Sequence, residues 1–144
     1  MEMSRVSSFI LHRRVQFYEV DSAGIVHFSW FFRYMEEAEH AMWRKAGLSI
    51  AMAGSDIGFP RVATSFDYQR PLRFEDEFDV RIQIATIKTK TMQYACIVSK
   101  GAERIATGAL TIACVRKGPQ QTMSAIAIPD DIVSRFEVAA GSNV

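Results

Sequence analysis

Only one long stretch of this chain repeats with a helical period, and that constrains everything around it. From Phe28 to Ala46, the residues Phe28, Phe31, Met35, Ala38, Met42 and Ala46 recur every three or four positions and form one helix face. Ser29, Arg33, Glu37, His40 and Arg44 fall largely on the other side. Trp30, Tyr34, Ala41 and Trp43 widen the apolar arc on its flanks, so the helix needs cover on more than one side. Ser29 is placed to cap its start. Arg44 and Lys45 suit the negative C-terminal end, and Gly47 is a natural stop.

The cover must come from strands. Residues 9–19 read as a first strand, and residues 20–27, with Gly24, as a loop. After a loop over 48–60, alternating runs cover roughly 61–70, 76–88, 91–100 and 103–116. Short turns at Thr89-Lys90 and Lys100-Gly101-Ala102 predict an antiparallel meander. Leu110, Ile112 and Cys114 load the face opposite Thr107, Ala109 and Thr111, which predicts a last strand buried on both sides. A short helix fits within 129–140. The order strand, long helix, four strands predicts an α+β fold, about five antiparallel strands curved around one central helix.

Residues 1–144 are one domain's worth of chain. Seventeen basic and sixteen acidic side chains leave a net charge of +1, which argues against non-specific nucleic-acid binding. No run approaches the ~20 apolar residues of a membrane span, and the start lacks the apolar core of a signal peptide. Cys96 and Cys114 lie in apolar runs without metal or redox spacing, as expected of buried reduced thiols. A soluble cytoplasmic protein is the expectation.

The segment VQFYEVDSAGIVHFSWFF, Val15 to Phe32, resembles the signature of the 4-hydroxybenzoyl-CoA thioesterase family. An aspartate after the first strand is followed by an A-G-x-V turn and an aromatic-rich helix start. FDYQRPLRFEDEF, Phe66 to Phe78, is similar to the family's next strand and turn. The resemblance runs from about Phe9 to Val115. It implies the hotdog fold, in which the sheet wraps the long helix. It also implies a homodimer, often assembled further into a tetramer, with active sites at the dimer interface. The implied substrates are acyl or aroyl thioesters of coenzyme A. No metal or redox cofactor is expected, coenzyme A being part of the substrate.

Thioester hydrolysis needs a group that attacks the carbonyl or activates water, and a carboxylate can do either. Asp21 matches the family's catalytic aspartate. Read from its residues alone, it is equally a loop acid bonding its own turn or favouring the helix start. The resemblance implies that the backbone N–H of Phe28 holds the oxyanion, a role suited to a helix N-terminus. The Phe28 ring would then pack in the core. Gly24 lets the turn approach substrate, or is a plain turn glycine. His27 could protonate the leaving thiolate, or only line the helix start. Glu36 falls where relatives place a carboxylate near the acyl group, but it could equally pair with Arg33 or His40. Phe59, Pro60 and Val62 could line the acyl pocket, with core packing as the default. Lys88, Thr89 and Lys90 sit where relatives present basic residues to the phosphates of coenzyme A, and Arg116 and Lys117 are weaker candidates for the same task. His12 and His40 have no partner visible in the sequence.

Two alternatives stay open at this point. A hotdog hydratase or dehydratase could pair His27 with Asp21. A non-catalytic acyl-thioester binding protein would hold the ligand without releasing thiol.

Overall fold

The structure, a computed structural model, describes residues 4–141. Strand β1 (Ser8–Arg14) is followed by a 3-10 turn (Phe17–Glu19), helix α1 (Trp30–Lys45) and the two-residue strand β2 (Ile57–Gly58). Strands β3 (Arg61–Tyr68), β4 (Glu77–Ile87), β5 (Thr91–Lys100), β6 (Glu103–Ala113), β7 (Val115–Lys117) and β8 (Met123–Ala125) come next, and helix α2 (Asp130–Val133) closes the series. The main sheet has the order β1-β4-β5-β6-β3, antiparallel throughout, and a smaller sheet has the order β2-β7-β8.

The meander holds for β4, β5 and β6, whose turns are short. Strand β3 does not neighbour β4. It pairs with β6 and forms one edge, while β1 forms the other. The second sheet is a departure from the single sheet expected. It arises because the last strand breaks at Cys114. There the Cys114 N–H turns to the Lys90 carbonyl (2.8 Å), and its own carbonyl accepts from Ile126 (3.0 Å). The chain beyond pairs with β2, which lies inside the stretch expected as loop. The outer face of β6 is only half-buried at Thr107, Ala109 and Thr111, not buried as expected.

The wide apolar arc of α1 is the centre of the fold. Tyr34, Met35, Ala38, Met42 and Trp43 are buried against Val80, Ile82, Ile84, Met92 and Ile112 of the sheet. Trp43 Nε1 donates to the Tyr94 hydroxyl at 2.9 Å, which satisfies the indole at the heart of the core. Phe136, beyond α2, packs its ring 5.1 Å from Trp43 and covers the far end of the helix. Gly47, at φ +79°, ends α1 as expected; its N–H reaches the Arg44 carbonyl (2.9 Å), and Leu48 N–H reaches Trp43 (2.9 Å).

Two local expectations fail. The first strand stops at Arg14, because the Glu19 carboxylate accepts the Gln16 N–H (2.9 Å) and folds the chain into the 3-10 turn. Ser29 does not cap α1. It already has helical dihedrals (φ −65°, ψ −24°), and its hydroxyl is engaged by His27. Cys96 and Cys114 are buried free thiols, and burial pushes the Cys96 thiol up to about 12, so it is no nucleophile.

Candidate active site

The loop before α1 is a small closed hairpin. Val20 and Val26 form an antiparallel bridge. Asp21 N–H donates to the Ile25 carbonyl (2.8 Å), Gly24 N–H to Asp21 (3.0 Å) and His27 N–H to Glu19 (2.9 Å). Gly24 sits at φ +81°, which this turn requires and a side chain would oppose. Asp21 Oδ1 accepts the Ala23 N–H at 2.8 Å, an Asx turn. No second hydrogen-bond donor reaches the Asp21 carboxylate among the described residues.

At the other end of the hairpin the helix begins. Trp30 N–H bonds to His27 (3.0 Å) and Phe31 N–H to Phe28 (3.3 Å). Among the described residues, the Phe28 N–H has no acceptor. Its carbonyl takes the Tyr68 hydroxyl at 3.1 Å, tying the helix start to β3. Asp21 and Phe28 line one cleft of about 430 Å³ with Ile25, Phe31, Tyr68 and Leu72. The walls of this cleft are mostly apolar and also include Gln69 and Arg70. The Phe28 ring is not core, contrary to expectation. It is 60% exposed and stacks 4.5 Å from His27.

His27 makes no hydrogen bond to Asp21 among the described residues. Ser29 gives its hydroxyl (2.8 Å) and its N–H (3.3 Å) to Nδ1, so the histidine is held at the helix start. Glu36 is not brought to Asp21 within one chain. It lines a separate cleft of about 340 Å³ with Phe32, Met35, Arg61, Thr64 and Leu110, and pairs with Arg33 and Arg61, each at 3.5 Å. Phe59 is buried with its ring 5.0 Å from Trp43, and the Pro60 carbonyl holds Ala113 N–H (3.1 Å). Neither lines the Asp21 cleft. Val62 is exposed on β3. Lys88, Thr89 and Lys90 are exposed at the β4–β5 turn, again outside that cleft. Arg116 pairs with Asp56 (3.2 Å), while Lys117 lies beside Gly58. His12 meets Asp79 at the surface and His40 approaches Glu39 at 3.8 Å.

Residues 15–136 match the family model of the thioesterase-like superfamily. The chain belongs to that superfamily. A relative from Aquifex aeolicus (strain VF5), whose name proposes an esterase, is 38% identical over 94 residues, 64% of this chain and 73% of the relative. A crystal structure of an Aquifex aeolicus protein superposes with a TM-score of 0.83 at 30% identity, covering 90% of this chain and 99% of that one. A gentisyl-coenzyme A thioesterase superposes with a TM-score of 0.79 at 26% identity, covering 89% and 99%. The thioesterase-like fold, an antiparallel sheet around a helix, is thus common to this chain and its neighbours.

Two features of this superfamily member were missed in the sequence. Glu19 and Glu39 are both fully buried. Glu39 is held by Arg61, the first residue of β3; burial pushes its carboxyl up and Arg61 only partly opposes this. Glu19 is met by Arg13 and Tyr34. No short spacing links these partners, so only the folded chain shows the pairs.

Proposed function

We propose that the protein hydrolyses a coenzyme A thioester of an aroyl or acyl group, as the 4-hydroxybenzoyl-CoA thioesterase resemblance implies. The observation that carries this is the mostly apolar cleft lined by both Asp21 and Phe28, whose N–H has no acceptor among the described residues. Asp21 attacks the thioester carbonyl, or takes a proton from the attacking water. As the carbonyl carbon becomes tetrahedral, its oxygen gains negative charge. The Phe28 N–H, at the positive end of α1, stabilises that charge. Coenzyme A then leaves as a thiolate, which needs little protonation, so no acid is asked of His27. On the attacking route the acyl–Asp21 anhydride that remains is hydrolysed by water, giving the free acid and restoring the carboxylate. The reaction needs no cofactor.

The aromatic walls from Phe28, Phe31 and Tyr68 suit a flat aroyl group, and the similarity to a gentisyl-coenzyme A thioesterase supports that class. In this reading Lys88 and Lys90 meet the phosphates, and Glu36 and Pro60 reach the substrate only from a second copy of the chain, while Phe59 stays in the core against Trp43. The test is thiol release from benzoyl-, gentisyl-, octanoyl- and crotonyl-CoA. Release with turnover is expected for at least one aroyl thioester. Hydration of crotonyl-CoA without thiol release would favour the hydratase reading. Tight binding of every thioester with no release would favour a binding protein.

A further inference from the structure

Glu19 is a charged side chain with no exposed surface, and it stands at the root of the Asp21 hairpin. Its Oε1 accepts from Arg13 Nη1 (2.8 Å), the Gln16 N–H (2.9 Å) and the Tyr34 hydroxyl (2.9 Å). Its Oε2 forms an ion pair with Arg13 Nη2 at 2.5 Å. Arg13 is itself fixed. Its Nε donates to Glu37 at 2.8 Å, and its guanidinium lies 4.6 Å from the centre of the Tyr34 ring. The end of β1, the 3-10 turn and the early turns of α1 are therefore joined at one carboxylate.

The main chain of Glu19 continues this anchorage into the site. Its carbonyl takes the His27 N–H at 2.9 Å and so closes the hairpin. Asp21 lies two residues beyond Glu19 at one end, and Phe28 lies one residue beyond His27 at the other. We infer that Glu19 is a positioning residue, with Arg13 and Tyr34 as its anchors, and that it fixes the Asp21 carboxylate against the Phe28 N–H. This rests on the roles given to Asp21 and Phe28 above. A buried ion pair is often replaceable by apolar packing without loss of stability, so stability alone is a weak reason to bury one here. A fixed hairpin is a stronger one, because misplacement of a reacting group by about 1 Å can cost about a hundredfold in rate.

The experiment uses the full chain and gentisyl-CoA, with benzoyl-CoA as a second probe. Tyr34→Phe keeps the ring beneath Arg13 and removes one hydrogen bond to Glu19. Its kcat is expected to fall about tenfold, with KM within about twofold. Glu19→Gln is expected to lose about a hundredfold in kcat. Val98→Ala, a cavity in the core remote from the hairpin, controls for lost stability and is expected to keep its kcat per folded molecule. In an Asp21→Asn background, adding Tyr34→Phe is expected to change the residual rate by less than about twofold, because the group being positioned is gone. Wild-type kcat in folded Tyr34→Phe, with Asp21→Asn inactive, overturns the inference about Glu19 alone. The same factor lost in both backgrounds also overturns it. Wild-type kcat in Asp21→Asn overturns the reading of the site itself.

Discussion

At the residue scale, the Asp21 hairpin is rooted on a carboxylate with no exposed surface, that of Glu19. Asp21 could be picked out because it precedes an A-G-I-V turn and a helix start, a local pattern. Glu19, two residues earlier, carried no such mark. Its partners Arg13 and Tyr34 come from a strand and a helix that only the fold brings together. Burial pushes the Glu19 carboxyl up, but the hydrogen bonds from Arg13, Gln16 and Tyr34 more than offset this and hold it below its ordinary value of 4.5. The unfolded chain therefore binds a proton at Glu19 before the folded one does. The stability this group contributes is complete above about 4.5 and is lost as pH falls through the folded value. Glu19→Gln has no such dependence. Its deficit in melting temperature should narrow as the pH drops from 7 to 3, read by circular dichroism. A constant deficit would mean that the Glu19 charge adds nothing to stability.

At the scale of elements, α1 was legible because its apolar period is long and its stop is a glycine. Its start was less so. Ser29 has the chemistry of a cap, but its hydroxyl goes to His27. Strand order was not legible for a similar reason. The short turns fix β4, β5 and β6, but the longer links before β3 and after it leave the choice of partner to packing. One glycine helps to make that choice. A Cβ at Gly108 would come within 2.7 Å of both the Phe66 ring and the Ser65 carbonyl, so β3 can place Phe66 opposite this position of β6 only because it is a glycine. Phe66 in turn packs 5.8 Å from Phe31 and 5.2 Å from Phe32. Gly108→Ala should lower stability by about 1–3 kcal/mol, measured by urea unfolding, as overpacking does. An unchanged midpoint would mean that β3 shifts freely and does not set the wall of the cleft.

At the scale of the whole molecule, one chain looks incomplete. Strand β3 is a sheet edge whose residues are mostly exposed, and Val62, Tyr68 and Phe28 present apolar surface around it. Such an edge invites pairing with another strand. The candidates that a single chain leaves apart from Asp21 and still exposes at least in part are Glu36, Pro60 and the Lys88–Lys90 turn, and a second copy is the economical way to bring any of them near. This could not be read from periodicity, which reports faces within one chain. The protein is expected to elute at twice its chain mass in light scattering. Val62→Asp, a charge on the exposed edge, should shift it toward monomer and lower activity together. A fully active monomer would contradict the pairing.

The measurement closest to the centre is thiol release by Asp21→Asn, compared with wild type on whichever aroyl-CoA the wild type turns over fastest. Circular dichroism should show the same fold for both proteins. Loss of roughly 10²–10⁴-fold in kcat is expected if the carboxylate attacks the carbonyl or activates water. Wild-type turnover in the folded variant would contradict it, and the catalytic group would have to be sought elsewhere.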